Sequence, residues 1–480
     1  MKICLINPAW LFGSSGDVVL SHNLGLGYLG GYLRSNGSHD VQIIDALAMG
    51  FGQRRSGPNG CLRVGLTDRQ IVDAVGNQTD LIGITVPFSH LAGVVECLCR
   101  AVKSAYPEIP IILGGVHPST CPGEFPKSSA DYWLIGEGEK SLLSLADGVD
   151  PGNIPGLLSR ERTVLTDGEM AEQIAELDEI PFPARDLLPM DLYIKLSARG
   201  VSHKPSASIL TSRGCPWDCE FCSIHPMYGY NWRKRSAQNV LAEVAELAEK
   251  YGVRQFEFED DNLTLKYDRA MEIFEGLCQL QSRSNVKLTW GTPNGIRVET
   301  VDRKMLELMK KSGCVRVTFA LEHGDEYVRN AMGKKMDIEK FESAMLNAIE
   351  TGLQTEVFIM VGYPGETMER FENAHKYYRK LADWGAGTLH FFYPQPYPGT
   401  KLYRMCCEKG YLDNSRDNRF LTVLKPKIET EDFDADEVVR RRELLLNEFD
   451  RSYRMRQRIK SVLPQSLINF IKKYMPRKAM

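Results

Sequence analysis

The chain has 480 residues, of which 43% are hydrophobic and 25% charged, with a formal net charge of -3. That length exceeds one ordinary core and points to two or three domains, and the near-neutral charge gives no expectation of nucleic-acid binding. No apolar run is long enough to span a bilayer, Met1-Lys2 leads directly into the apolar run Ile3 to Ile6, and the 12 cysteines are scattered apart from one triad and Cys406-Cys407; the expectation is a cytoplasmic protein in a reducing compartment, without signal peptide or disulfide staples.

From residue 1 to about 145, short apolar strands alternate with helices. Strands are predicted at Lys2 to Asn7, Asp40 to Asp45, Asp80 to Val86 and Ile109 to Gly114, with helices around Gly25 to Ser35, from Thr67, and through Ala92 to Ala105. This alternation predicts an α/β, doubly wound Rossmann-like domain over residues 1–150. Ligands of such sheets bind beyond the carboxyl ends of the strands. Those ends carry Asn7-Pro8, Asp45, Thr85 to Ser89, Gly114-Gly115-Val116-His117-Pro118 and Gly136-Glu137-Gly138-Glu139. Neither Gly-x-Gly-x-x-Gly after the first strand nor Gly-x4-Gly-Lys-Ser/Thr occurs, which disfavours a dinucleotide or nucleoside triphosphate. The glycines instead let the backbone approach a bulky ligand closely.

A proline-containing connection over 151–200 leads to a second pattern over 201–400. Strands recur at Ala207 to Thr211, Gln255 to Glu259, Lys287 to Gly291, Arg316 to Leu321, Glu356 to Gly362 and Thr388 to Tyr393, separated mostly by helices. Six such units predict a partial (β/α)6 barrel rather than a complete eight-unit one, with its active groups at the strand ends.

The loop after the first of these strands reads Cys215-Pro216-Trp217-Asp218-Cys219-Glu220-Phe221-Cys222. Three thiolates spaced Cys-x3-Cys-x2-Cys can hold three corners of a four-iron four-sulfur cluster and leave the fourth iron open to a small molecule. The competing reading is a zinc site closed by His225, with Trp217 merely packing nearby; it is disfavoured because only Cys219 and Cys222 have the Cys-x2-Cys spacing. Glu259-Asp260-Asp261-Asn262 closes the second strand with three adjacent acids, costly unless they face solvent or a cation. Arg297, Glu322, the turn Val361 to Glu366 and the aromatic, proline-rich segment Phe391 to Thr400 mark later strand ends. A solvated acidic turn, structural ion pairs and core packing are the plainer explanations of these features.

The triad, with Phe221 before its third cysteine, resembles the radical S-adenosylmethionine superfamily. The resemblance implies that Cys215, Cys219 and Cys222 bind the cluster, Asp260 and Asp261 the cofactor's amino group, Arg297 its carboxylate, Glu322 its ribose, and the turn containing Gly362 its adenine. The run Leu24 to Arg34, Val41 to Asp45 and the two glycine motifs are similar to cobalamin-binding domains attached to such enzymes. Asp-x-His-x-x-Gly is missing, so the implied cobalamin is base-off without a histidine ligand. Thr85, Ser89, Gly114, Gly115 and Gly136 would line the groove for its nucleotide tail, and His117 would contact that tail or serve as a structural histidine.

Over residues 1 to 410 the chain thus resembles the cobalamin-binding radical enzymes, in particular the class B methyltransferases. That family implies methylation of an unactivated carbon or similarly poor nucleophile, a small-molecule substrate, and an external electron donor such as flavodoxin or ferredoxin. A radical oxidative cyclase using the same cofactors is the alternative, and a cobalamin-binding sensor a third reading from another class.

Residues 401–480 are expected to form a helical region. From Arg451 onward the chain lacks Asp and Glu, while Arg451, Arg454, Arg456, Arg458, Lys460, Lys472 and Lys473 interleave with Leu463, Leu467, Ile468, Phe470 and Ile471. Such a basic amphipathic end can lie at an anionic membrane surface, contact an acidic partner, or dock on its own protein.

Overall fold

The six short apolar strands of the first half hydrogen-bond side by side. They are β1 (Lys2–Asn7), β2 (Asp40–Asp45), β3 (Leu81–Thr85), β4 (Ile111–Gly114), β5 (Tyr132–Leu134) and β6 (Leu157–Ser159), in the order β2-β1-β3-β4-β5-β6. All neighbours are parallel except β5 and β6. The structure is a computed structural model, and the described residues are 1–13, 18, 20, 22–165, 170–196, 205–412 and 425–450. The basic segment 451–480, and with it the membrane-surface reading, lies outside the described residues.

Between these strands run α1 (Leu24–Asn36), α2 (Asp68–Val75), α3 (Ala92–Ala105), the short α4 (Val116–Thr120) and α5 (Glu139–Ala146). Side-chain caps fix where two of them begin: Asn23 accepts the Leu26 N–H at α1, and Thr67 forms a reciprocal capping box with Gln70 at α2. The doubly wound expectation therefore stands. Two details differ from it. The connection 151–200 supplies β6 to the first sheet, and a small antiparallel sheet of Trp10–Phe12, Leu62–Val64 and Arg54–Ser56 lies outside the alternating pattern.

The second half is an open parallel sheet with strands in sequential order: β7 (Ser206–Ile209), β8 (Gln255–Phe258), β9 (Thr289–Gly291), β10 (Cys314–Glu322), β11 (Gln354–Met360) and β12 (Thr388–Phe392). The longer helices between β7 and β12 are α6 (Ala237–Lys250), α7 (Tyr267–Ser284), α8 (Arg303–Lys311), α9 (Ile338–Glu350) and α10 (Met368–Asp383). The two-residue period of the strands explains which side is polar. Phe256 and Phe258 are buried among the helices, where Trp290 stacks on Phe274 at 4.9 Å. Gln255 and Glu257 alternate with them, and Glu257 accepts a hydrogen bond from Arg316 of β10 at 2.7 Å. Then come α11 (Lys401–Lys409) and α12 (Ala435–Phe449); α12 is fastened to β12 by Arg442, whose Nε donates to the Phe391 carbonyl. Among the described residues no helix is long and apolar enough to cross a membrane.

One apolar cluster runs from Ile3 and Leu5 of β1 through Tyr193 and Ala207 to the outer layer of the barrel. Ion pairs join the halves as well. Glu137 and Glu139, which follow β5, accept hydrogen bonds from Arg213 at 3.0 and 2.8 Å, and Arg233 also pairs with Glu137. All three members of the Arg213 clamp are buried. Burial alone would raise the Glu139 pKa, but the Arg213 charge outweighs it and holds that carboxyl below its ordinary range. Arg213→Ala leaves two buried carboxylates with one fewer cation, and unfolding measurements should show a loss of about 3–5 kcal/mol; an unchanged midpoint would show that the clamp does not join the halves energetically.

Candidate cofactor site

The cysteine loop is closed at its base. Ser212–Arg213 pairs antiparallel with Arg233–Lys234, so residues 214–232 leave and return at the end of β7. Asp260, just past β8, accepts hydrogen bonds from the Thr211 backbone at 3.2 Å, the Thr211 hydroxyl at 2.6 Å and the Ser212 hydroxyl at 2.5 Å. Its carboxyl is thus committed to holding the start of the cysteine loop. Asp261 is different: it borders open space, yet surrounding protein and then the Asp260 charge push its pKa up to about 7. Its charge bears on Cys215 and Cys222, and the amide Nδ2 of Asn262 donates to Cys215 Sγ at 2.8 Å.

The three sulfurs of Cys215, Cys219 and Cys222 do not all lie within 4.8 Å of one another. Two thiolates bound to one zinc at about 2.3 Å would stand only about 3.8 Å apart. The trio is therefore set wider than three ligands of one tetrahedral ion. His225 does not complete a zinc site either, because its Nε2 donates to the Cys215 carbonyl at 3.2 Å while its ring stacks on Tyr230. The loop is held from outside by the Glu220 N–H to the Met332 carbonyl and the Leu402 N–H to the Glu220 carbonyl. Phe221 packs, half-buried, against the main apolar cluster.

Arg297 lies over the Trp217 ring at 3.9 Å, and its guanidinium also donates to Glu299 and to the Lys334 carbonyl. Its charge is shared within the protein. Glu322 ends β10 at a φ of 68°, an uncommon value for a non-glycine residue, and accepts a hydrogen bond from Lys334 Nζ at 2.9 Å. At Gly362, which has a φ of 87°, a Cβ would come within 2.5 Å of Val438 on α12, so this turn packs closely against that helix.

On the other side, a cavity of about 190 Å³ lies between the halves. One wall is α1 with the strand ends at Thr85, Gly114, Gly115 and Gly136; the other is Leu210, Arg213, Met227 and Tyr228, which flank the cysteine loop. A Cβ on Gly114 would meet nothing within 4 Å, whereas Gly115, at a φ of 109°, has Thr85 Oγ1 3.1 Å from where its Cβ would be. A larger residue at 114 would fill the cavity, and any at 115 would be strained. Ser89 and His117, expected in the same groove, do not line it; they pair with each other at 3.0 Å.

The structure thus gathers Cys215, Cys219, Cys222 and Asp261 at one strand-end cluster, and Thr85, Gly114, Gly115 and Gly136 around one cavity. Arg213 and Lys334 escaped the sequence reading, while Glu137 and Asn262 were marked only as members of strand-end motifs. The paired acids of Gly136-Glu137-Gly138-Glu139 were the signal for Arg213, since two carboxylates beside a predicted core need a cation.

The Radical SAM superfamily profile matches residues 209–378, and the B12 binding domain profile matches residues 18–146. A cytidylyl-2-hydroxyethylphosphonate methyltransferase of Streptomyces wedmorensis is 30% identical over 455 residues, covering 86% of this chain and 83% of the relative. An anaerobic magnesium-protoporphyrin IX monomethyl ester cyclase of Rubrivivax gelatinosus is 25% identical, over 89% of this chain and 74% of its own. Among solved structures, the cobalamin-dependent S-adenosylmethionine radical enzyme OxsB, with aqua-cobalamin and S-adenosylmethionine bound, has a similar fold at a TM-score of 0.73 and 16% identity, over 93% of this chain and 66% of that one.

Fold and site together define a radical S-adenosylmethionine enzyme with a B12-binding domain. The chain belongs to the cobalamin-dependent radical S-adenosylmethionine methyltransferase family, whose cofactors are a four-iron four-sulfur cluster, S-adenosylmethionine and cobalamin. Family membership sets the sensor reading aside.

Burial raises the pKa of all three triad thiols, that of Cys222 to about 12. Less thiolate at a given pH means slower alkylation. In the metal-free chain, iodoacetamide near neutral pH should modify the exposed Cys407 well before Cys222, and the Cys222 rate should keep rising with pH toward 12; peptide mapping that found equal rates would contradict this burial.

Proposed function

We propose that the chain methylates an unactivated carbon of a small-molecule substrate, with Cys215, Cys219 and Cys222 holding the cluster and the cavity between the halves holding the nucleotide tail of cobalamin. One observation carries the reading: the cavity wall opposite Gly114 is built from Leu210, Arg213, Met227 and Tyr228, the residues that flank the cysteine loop. Transfer between two cofactors requires them to be close, and here one short loop borders both sites.

Bound in these positions, the cluster with S-adenosylmethionine supplies hydrogen-atom removal from carbon, and cobalamin supplies the methyl group. The chain's own residues orient and enclose. Asp261 offers the carboxylate suited to the amino group of S-adenosylmethionine, since Asp260 is occupied with Thr211 and Ser212. The Lys334–Glu322 pair supplies a cation and an acceptor at the next strand end but one, and Arg297 with Trp217 stiffens the loop. Asn262 donates to Cys215 Sγ, a hydrogen bond that would raise the reduction potential of a cluster held by that thiolate. Electrons come from an external low-potential donor such as flavodoxin or ferredoxin. The basic segment 451–480 would supply any peripheral membrane contact.

The test is anaerobic reconstitution with iron, sulfide and hydroxocobalamin, followed by measurement of iron, corrin and 5'-deoxyadenosine. The Cys215, Cys219 and Cys222 alanine variants should lose iron and deoxyadenosine together. Gly114→Leu should lose corrin while keeping iron and deoxyadenosine formation; corrin bound at the wild-type level would remove the cavity from the reading. A product heavier by one methylene supports methyl transfer, and loss of hydrogen without added carbon supports the cyclase alternative. Asn262→Ala should retain iron and lower the cluster midpoint by about 40 mV for each kcal/mol of hydrogen bonding lost, as read by redox titration; an unchanged midpoint would deny Asn262 this tuning role.

A further inference from the structure

The segment after β4 carries a cluster of side chains that the cofactor site does not use. His117, Cys121 and Glu124 follow the spacing His-x3-Cys-x2-Glu, which sets them along one face of α4 and the turn Pro122–Lys127 that continues it. One ligand atom from each lies within 4.8 Å of the other two, and among the described residues no other trio of His, Cys, Asp or Glu meets that distance.

His117 is only 2% exposed, and its Nε2 has no hydrogen-bond partner. A buried ring nitrogen without a hydrogen bond is costly, and the Glu124 carboxylate is the charged group beside it. Its Nδ1 lies 3.0 Å from Ser89 Oγ; donation of the Nδ1 proton to that hydroxyl leaves the lone pair on Nε2, the form in which imidazole ligates a metal. Glu124 Oε2 stands 3.4 Å from Nε2. Two atoms bound to one tetrahedral ion at about 2.05 Å stand about 3.3 Å apart, so this pair already has the spacing of two ligands.

We propose that His117 Nε2, Cys121 Sγ and a Glu124 carboxylate oxygen bind one zinc ion, with water in the fourth position. Nitrogen, sulfur and oxygen donors together suit this borderline-soft cation. On binding, Cys121 releases its thiol proton to solvent and ligates as the thiolate, and no electron is transferred. The ion fastens the turns around the cavity: Ser119, between two of the ligands, donates to the Gly115 carbonyl and accepts the Gly136 N–H at 3.0 Å. The chain entering α11 passes over the same place, since a Cβ on Gly399 would lie 3.3 Å from Thr120.

The test is elemental analysis and zinc-edge X-ray absorption on the full, cluster-loaded chain expressed with added zinc, because the zinc edge is read independently of iron. The expected result is stoichiometric zinc with a single sulfur at about 2.3 Å and nitrogen or oxygen at about 2.0–2.1 Å. Cys121→Ala should lose the sulfur shell, and Glu124→Ala, at a half-exposed position that folding tolerates, should lose most of the zinc. A wild-type chain without zinc, zinc bound by several sulfurs as in the cluster loop, or an unchanged spectrum in Cys121→Ala would each overturn the proposal and leave His117–Glu124 as an ion pair beside an inert thiol.

Discussion

Arg213 between Glu137 and Glu139 is the contact on which the arrangement of this molecule depends. The acids belong to the turn after β5 of the first half, and the arginine lies two residues before the first cysteine of the second. A buried guanidinium has few tolerable positions, because it must meet carboxylates with its fork or forfeit solvation without return. The clamp thereby converts an inter-domain contact into a fixed placement of the loop that carries the thiols, and Tyr28 of α1 adds its ring beneath the same guanidinium.

A second layer of polar contacts acts inside the barrel with the same result. Asp260 ties down Thr211 and Ser212, Arg297 presses on Trp217, and the backbone of Met332 holds Glu220. Each is a buried or half-buried group spent on the loop rather than on a ligand. Thiolates that must accept a cluster of fixed size need preset positions, and a loop without regular structure obtains them only from its surroundings. Asp261, beside Asp260, borders open space, and surrounding protein and the Asp260 charge raise its carboxyl pKa.

Much of this was legible in the sequence. Strand and helix spans followed from apolar periodicity, and the helix expected from Thr67 begins at Asp68, with Thr67 as its cap. The cysteine spacing and the glycines at 114 and 115 located the cluster loop and the cavity. What sequence could not show is which of several like residues faces the ligand. Asp260 and Asp261 are chemically equal neighbours, and only the fold turns one into the backbone and the other outward. The packing of Gly362 against Val438 joins residues more than seventy apart, which no local pattern announces. The strands of three residues near Trp10 and Leu62 are shorter than any periodic signal.

The paired interface also limits how such a chain can be taken apart and recombined. The apolar cluster crosses from the first sheet into the barrel, and the clamp crosses with it. Exchanging the N-terminal half for that of a relative would replace Glu137 and Glu139 while leaving Arg213 and Arg233 in place. A donor lacking acids at those turns would strand two guanidiniums in the interior. The modules of this architecture are therefore heritable only as matched pairs, and the acidic turn of one half and the basic strand of the other behave as a single unit of exchange split across more than seventy residues of sequence.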